Sequence, residues 1–562
     1  MNENKDELQS RTSLEKMNSG SLWMSSASII SRILGVLYII PWMRWMGTPQ
    51  IANEANALFG IGYRWYALFL AIAVAGVPSA ISKQISNYNA SGQYRTARKL
   101  FKSAFTLMVV TGIIASVILW IFAPQFAKGS PARSLEYSIT VIRSLIPALL
   151  VIPTLSILRG FFQGYQDMKP SAVSQIMEQL FRVVYMLIAV YYIRVLNNGS
   201  MIDAVAQSTF GTFIGAIVAI ITLIFYFFKN KESYEIPSNH QDTIDISTQS
   251  LLIEVIKLAI PFIIAGSAIE VSQLIDTKTY MPIMENITSF SRETLINDFA
   301  AFSTNANKLI TVIVSLAISI ATASIPILSA TYTNEKLSNS LNISNRWTDT
   351  IALITNNLYL FTIIMLPSAM GVAILARPLY TLIYFPDPNG TWFLQISCVM
   401  AIAMGLFSVM VSNMQAINYQ KEAILGMLIG LCIKCILQYP LLWLFGISGA
   451  LYATTISFFI ISIFFAIYLR KIFRFPFRNL FLKVLPVIFS TFIMAIVSLI
   501  TFKVIQTIIP ENSTLGYLLS ILFVGIIGGS TYLLLGLHYR FIDVILGNKA
   551  NYLRNILFKK FK

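Results

Sequence analysis

The sequence predicts an all-α polytopic membrane protein of about fourteen transmembrane helices. These are expected to form two six-helix lobes plus two extra C-terminal helices. Three observations carry that prediction. Of 562 residues, 56% are hydrophobic and 12% charged, where a soluble protein carries about 25% charge; mean hydropathy is +0.69. Apolar runs of about 20 residues, enough to cross about 30 Å of hydrocarbon, recur almost end to end. The runs do not alternate polar with apolar and are about twice the length of a barrel strand, so they read as helices. A cytosolic enzyme is excluded on composition alone.

In chain order the runs cover 21–46, 63–85, 101–122, 137–162, 173–193, 204–228, 252–280, 302–329, 351–376, 393–416, 423–445, 450–469, 484–505 and 515–537. The first follows a charged segment and lacks a small-residue cleavage site, so it reads as a retained helix. The longest polar connections run 229–250 and 333–350, with a third at 282–298. None has room for a soluble domain.

A faint repeat divides the chain. Val77-Pro78-Ser79 resembles Ile325-Pro326-Ile327, and Gly164-Tyr165-Gln166 resembles Asn418-Tyr419-Gln420, at nearly the same offset of about 250 residues. The expected organisation is an N-terminal segment 1–20, an N-terminal lobe 21–229, a linker 230–250, a C-terminal lobe 251–472, two further helices within 480–537 and a basic tail 538–562. Six helices per lobe give both copies one orientation in the membrane.

The net charge of +16 would suggest nucleic acid if the cations were not mainly in termini and short loops. Arg95, Arg98 and Lys99, then Arg470, Lys471, Arg474 and Arg478, then Lys559, Lys560 and Lys562 fall on the side of the termini. By the positive-inside rule both termini are cytoplasmic in a plasma membrane. No nucleic-acid partner is expected. Cys398, Cys432 and Cys435 lie in apolar stretches and read as packing residues. Neither His240 nor His538 has a metal-ligand neighbour, and no phosphate-binding glycine loop is present. No metal, cofactor or catalytic residue is expected.

The informative charges lie inside the apolar runs, where each costs about 2.5–3.5 kcal/mol and normally faces an interior. Arg32 is the one full charge on a small, polar face of the first helix with Ser21, Ser25, Ser28 and Gly35. Helix 8 repeats the design with Thr304, Lys308, Thr311, Ser315, Ser319, Thr322, Pro326 and Ser329. Two such stripes suggest a wet cavity that receives an anion. The plainer alternative is that the small residues serve close packing, while Arg32 and Lys308 snorkel or pair with carboxylates. Glu178 and Arg182, four apart, are expected to neutralise each other, as are Glu254 and Lys257 at an interface. Glu270 and Asp276 lie deep in helix 7 with no cation nearby in sequence; they complement cations elsewhere or bind a coupling ion. Arg64 starts the second run, and Arg143 and Arg159 lie towards opposite ends of the fourth. Each either snorkels or lines the cavity.

Ser31-Arg32-Ile33-Leu34-Gly35 resembles the Ser-Arg-x-x-Gly signature of MurJ-type lipid II flippases, in the multidrug/oligosaccharidyl-lipid/polysaccharide exporter superfamily. Ala306-Asn307-Lys308-Leu309 with Ile325-Pro326-Ile327-Leu328-Ser329 resembles that family's eighth-helix pattern. Gly76-Val77-Pro78-Ser79 and Leu274-Ile275-Asp276 resemble its Gram-positive, polysaccharide-export and sporulation branch. The resemblance implies two lobes around a cationic cavity, with the last two helices making a groove for a lipid tail. It places Arg32 at the first-helix arginine and Lys308 where arginine is common, with Arg64 near the second-helix arginine. The chain departs at Tyr38, where a second first-helix arginine is expected, and at Ile39, where an aspartate is common; Arg143, Arg159 or Arg182 would compensate.

The implied activity is movement of lipid II, an undecaprenyl-diphosphate-linked peptidoglycan precursor, from inner to outer leaflet by alternating access. Moving two negative charges outward down an inside-negative potential would release roughly 4.6 kcal/mol per 100 mV. The implied partners are the lipid itself, membrane lipids and the cell-wall synthesis machinery, with the chain as a monomer. Rival readings are a flippase for another undecaprenyl-linked glycan, a cation-coupled drug exporter, whose cavity should be rich in carboxylates, and a polytopic enzyme on lipid diphosphates, which would need an acidic metal-binding cluster.

Overall fold

A computed structural model describes residues 30–74, 77–90, 92–165, 167–234, 266–340, 347–508 and 513–558, with isolated positions between 23 and 27 and between 247 and 264. Among the described residues the secondary structure is helical throughout, and twelve helices or helix pairs are long and apolar enough to cross a membrane. The chain is a multi-pass membrane protein. It divides into two compact units, Met1–Met281 and Pro282–Lys562.

In the first unit, helical residues 30–37 lead into α1 (Ile39–Met46). There follow α2 (Pro49–Val74), α3 (Val77–Ala90), α4 (Tyr94–Ala127), α5 (Leu135–Ser144), α6 (Ile146–Gly164), α7 (Met168–Val190), α8 (Met201–Lys229) and the start of α9 (Ala268–Ile287). Serines start several helices by accepting backbone N–H groups that no helical carbonyl can reach: Ser134 from Glu136 before α5 and Ser200 from Ile202 before α8. The end of α1 is capped from a distance, by Arg194 donating to the Met46 carbonyl at 2.8 Å where Gly47 turns the chain with φ +124°.

Two expected spans are each two helices. The run 63–85 belongs to α2, which begins at Pro49, and to α3. Residues 49–62 lie outside the expected runs yet are helical, and Glu54 among them is buried, its charge met by Arg133 at 3.2 Å. The run 137–162 divides into α5 and α6 because Pro147 lacks the N–H that would continue α5, yet fits the first turn of a new helix.

α7 packs along α8, and α6 against α3, α4 and α8. α8 approaches α7 so closely that a Cβ on Gly215 would stand 2.4 Å from the Glu178 carbonyl oxygen and 3.1 Å from the Arg182 Cβ. Beyond α8, Tyr234 donates to Asp167 at 2.7 Å and stacks on Phe227. Burial first, and then that hydrogen bond, push the Tyr234 phenol above its ordinary pKa.

The second unit contains the end of α9, α10 (Arg292–Phe299), a π turn (Ala300–Ala306), α11 (Asn307–Ser340), α12 (Thr348–Ile374) and α13 (Ala376–Ile383). It continues with α14 (Pro388–Ala416), α15 (Gln420–Phe445), α16 (Ser448–Phe473), α17 (Phe477–Ile508), α18 (Thr514–His538), α19 (Asp543–Leu546) and α20 (Asn548–Phe558). The expected connections 282–298 and 333–350 are mostly helix, through α9, α10 and α11; residues 341–346 lie outside the described residues.

α17 and α18 pack on each other, and α17 packs on α12. A buried apolar cluster of Ile363, Val487, Met494 and Tyr532 joins them, and one hydrogen bond ties α18 to α12. Pro367 of α12 cannot donate, so the Ile363 carbonyl one turn earlier lacks its helical partner. The buried Tyr532 of α18 donates to it at 2.8 Å. Cys398 is buried in α14, whereas Cys432 and Cys435 are exposed on α15. They face away from the unit and are not the packing residues expected of them.

A side chain at Gly215 has to displace backbone, which cannot yield as a flexible side chain can. Gly215→Ala should therefore lower the unfolding midpoint of the purified protein by several degrees. Gly371→Ala, where a Cβ meets nothing within 4 Å, should leave it unchanged. Equal midpoints for the two variants would show that the α7–α8 approach does not limit stability.

Candidate functional site

The polar interior of the first unit is built on α2, α6, α7 and α9. Arg159 of α6 reaches across to α7, its Nη2 donating to Glu178 Oε2 at 2.7 Å and its Nε to Ser174 Oγ at 2.9 Å. Both members of the ion pair are about one-fifth exposed. Ser171 Oγ in turn donates to the Arg159 carbonyl at 3.1 Å. Three residues of one face of α7 thus grip a single arginine.

That grip overturns the expected pairing of Glu178 with Arg182. Among the described residues Arg182 makes no ion pair within 4.0 Å. Instead its guanidinium lies 5.4 Å from the Tyr63 ring centroid and has the Tyr63, Tyr38 and Tyr66 phenols within electrostatic range. Phenols accept and polarise without cancelling a full charge.

Arg64 does not start a helix. It sits in the middle of α2, buried, with Nη1 donating to Thr277 Oγ1 of α9 at 3.0 Å. Asp276 and Glu270, also on α9, lie within its electrostatic range. The two carboxylates without a nearby cation in sequence therefore have one in space.

Arg32 is half-buried in helical residues 30–37. That stretch lies against α7, with Gly35 in contact range of Gln179 Nε2. Ser28, like Ser21, Ser25, His240, Glu254 and Lys257, lies outside the described residues. Arg143 ends α5 with its guanidinium 4.5 Å above the Trp120 ring of α4, a cation–π contact.

In the second unit the helix 8 stripe is interrupted by the π turn. Thr304 is buried in that turn, whose Asn305 side chain donates to the Tyr380 phenol and whose Asn305 carbonyl accepts from Tyr384. Lys308 is half-buried just beyond it, at the start of α11. The Thr311 and Ser315 hydroxyls donate to the carbonyls of Asn307 and Val312 on their own chain. The turn sets Thr304 apart from the rest of the stripe, and beyond it Thr311 and Ser319 are exposed while Ser315 is buried, so the stripe does not share one environment.

Sequence reading missed three buried charges, Glu54, Asp298 and Lys434. Lys434 stands within an apolar run and carried the same signal as Arg32. Glu54 lies between the expected runs, and Asp298 ends the connection expected at 282–298.

Comparison with known proteins follows the same lines. The family described as polysaccharide biosynthesis protein matches residues 18–332. The lipid II flippase MurJ of Bacillus subtilis strain 168 is 32% identical over 554 residues, 95% of this chain and 97% of that protein. The chain belongs to the MurJ-type branch of the polysaccharide biosynthesis protein family. A solved MurJ in an inward closed conformation shares the fold, with TM-score 0.61 and 16% identity over 92% of this chain and 99% of that one. An inward-facing multidrug resistance transporter of the MATE family matches at TM-score 0.59 and 14% identity, over 78% of this chain and 94% of that one. The MurJ-type and MATE-type matches thus share one helical architecture, as the sequence predicts.

The Arg159–Glu178 pair holds α6 to α7, so removing one partner leaves the other without a counter-charge in a dry setting. Arg159→Met and Glu178→Met should each lower the unfolding midpoint more than the double variant does. The double-mutant cycle should give a coupling of about 1–3 kcal/mol. Additive losses would mean the two groups do not stabilise each other.

Proposed function

We propose that this chain is a lipid II flippase, moving an undecaprenyl-diphosphate-linked precursor from the cytoplasmic to the outer leaflet by alternating access, without catalysis and as a monomer. The observation that carries the reading is the 32% identity to a lipid II flippase, which runs over 95% of the chain and 97% of the relative. A match confined to a few helices would support only a shared scaffold.

Within that reading both termini are cytoplasmic, and two six-helix lobes, 21–229 and 251–472, carry the cycle. The helices within 480–537 take the polyprenyl tail, and the product passes to the cell-wall synthesis machinery. The residues that receive the diphosphate are Arg32, Arg143 and Lys308, to which the pairing pattern adds Arg182; Arg64 and Arg159, which the sequence also offers, take a secondary part. Arg159 has Glu178 and Arg64 has the α9 carboxylates, so their fields are largely cancelled. Arg182, held by phenols, keeps its charge for an incoming anion and stands beside Tyr38, where the resemblance leads one to expect a cation.

The test is complementation in a bacterium depleted of its own lipid II flippase, with outer-leaflet lipid II read by a membrane-impermeant probe. The wild-type chain should restore growth and outward lipid II. Arg32→Ala and Arg182→Gln should reduce flipping by about tenfold or more, the loss of one charge-assisted contact, at normal membrane levels and unchanged unfolding midpoint. Lys308→Arg should be tolerated and Lys308→Glu should inactivate. A wild-type chain that reaches the membrane and fails to complement would overturn lipid II as substrate; a related polyprenyl-linked glycan would then be tested in the same assay, as the family's polysaccharide description favours.

A further inference from the structure

The seam between α15 and α16 holds a charge that none of the transport reading uses. Gly426, Gly430, Lys434 and Gln438 recur every fourth residue and so share one face of α15. The two glycines bring the helices together: a Cβ on Gly430 would stand 2.0 Å from Ile461, and one on Gly426 would stand 2.6 Å from Phe465. This is the small-residue approach common between membrane helices. One turn further along the same face, Lys434 is completely buried, and Gln438 after it is 1% exposed. A lysine so placed cannot snorkel to a headgroup.

Its ammonium is received by oxygen. Lys434 Nζ donates to the Ala450 carbonyl at 3.0 Å and to Thr454 Oγ1 at 2.5 Å, both on α16. The Thr454 hydroxyl spends its own proton on that Ala450 carbonyl, at 2.9 Å. Its lone pairs are thereby left to face Nζ. A main-chain carbonyl and a hydroxyl turned to present lone pairs form the donor chemistry of a hard-cation site. An ammonium, with three protons and one positive charge, fits the same place.

We propose that the α15–α16 seam is a monovalent-cation cradle which the chain fills with its own Lys434 ammonium. The tethered charge makes the packing of this helix pair independent of dissolved sodium or potassium. The role does not depend on which lipid is carried. Lys434 is thus a positioning residue whose charge, more than its bulk, closes the seam.

The test compares unfolding midpoints of the purified full-length protein in sodium, potassium and choline chloride at equal ionic strength. The wild type should melt at one temperature in all three. Lys434→Ala vacates the cradle, so it should melt several degrees lower in choline and recover at least part of the loss in sodium or methylammonium. Lys434→Met keeps the stem without the charge; it should also melt lower in choline, with no recovery because the side chain still fills the space. A wild type stabilised by sodium over choline would overturn the proposal, since the cradle would then take its cation from solution. So would a Lys434→Met variant as stable as wild type, or a Lys434→Ala loss identical in every salt. If Lys434→Ala yields no folded protein, the Lys434→Met comparison alone decides whether the charge is needed.

Discussion

The first unit depends on the requirement that an ionised side chain among apolar helices bring its own counter-group, because lipid supplies none. The Arg159–Glu178 pair meets that requirement across two helices and fixes much else. It sets the face that α7 turns toward α6, with Ser171 and Ser174 completing the grip. The backbone of α7 at Glu178 is then where α8 comes close, which Gly215 permits. With Glu178 committed to Arg159, Arg182 has no carboxylate left on its own helix. It lies near the Tyr63 ring of α2, with the Tyr66 phenol and that of Tyr38, entering α1, within electrostatic range. The placement of a cation that keeps its charge thus follows from the pairing of one that does not.

The number and order of the helices were legible in the sequence because hydrocarbon thickness sets their length and unmet backbone groups forbid loops at that depth. Helix ends were less legible where a polar residue had a distant partner. Glu54 lies between the expected runs yet is helical, with Arg133 beside it, and Arg64 reads as a helix start until α2 is seen to begin at Pro49. Partnerships were the least legible. Spacing along one helix favours Glu178 with Arg182, worth about 0.2–0.5 kcal/mol in an isolated helix. A neighbouring guanidinium donating at 2.7 Å in a half-dry setting outweighs that. Asp276 and Glu270 meet Arg64 from more than two hundred residues away, a relation no local pattern contains.

The second unit meets a related requirement, that polar groups left over by irregular helix be satisfied, with tyrosine hydroxyls. Pro367 leaves the Ile363 carbonyl without its helical donor, and Tyr532 supplies one from α18, turning a backbone defect into a tie between α18 and α12. Asn305 in the π turn is held from both ends by Tyr380 and Tyr384. In each case irregular helix is tolerated where a tyrosine hydroxyl can satisfy what the helix cannot. A regular helix with the same composition would not need those tyrosines, and this explains why large polar side chains accompany the irregular turns.

The kind of partner given to each buried cation determines what that cation can still do. Two unit charges 4 Å apart attract by about 4 kcal/mol at an effective dielectric of 20. A guanidinium beside a carboxylate therefore offers little net field to an approaching phosphate. One surrounded by phenols loses none of its charge, and the partial negative charge of the ring faces holds it in place while leaving N–H groups to donate. Arg159 and Arg182 stand on neighbouring helices of one unit and differ in this respect. The first is suited to holding helices together and the second to receiving an anion, although both were equally conspicuous as intramembrane arginines. Counting cations in the apolar runs therefore overstates the proposed anion site, and sorting them by partner separates those committed to carboxylates from those that keep an unmatched charge.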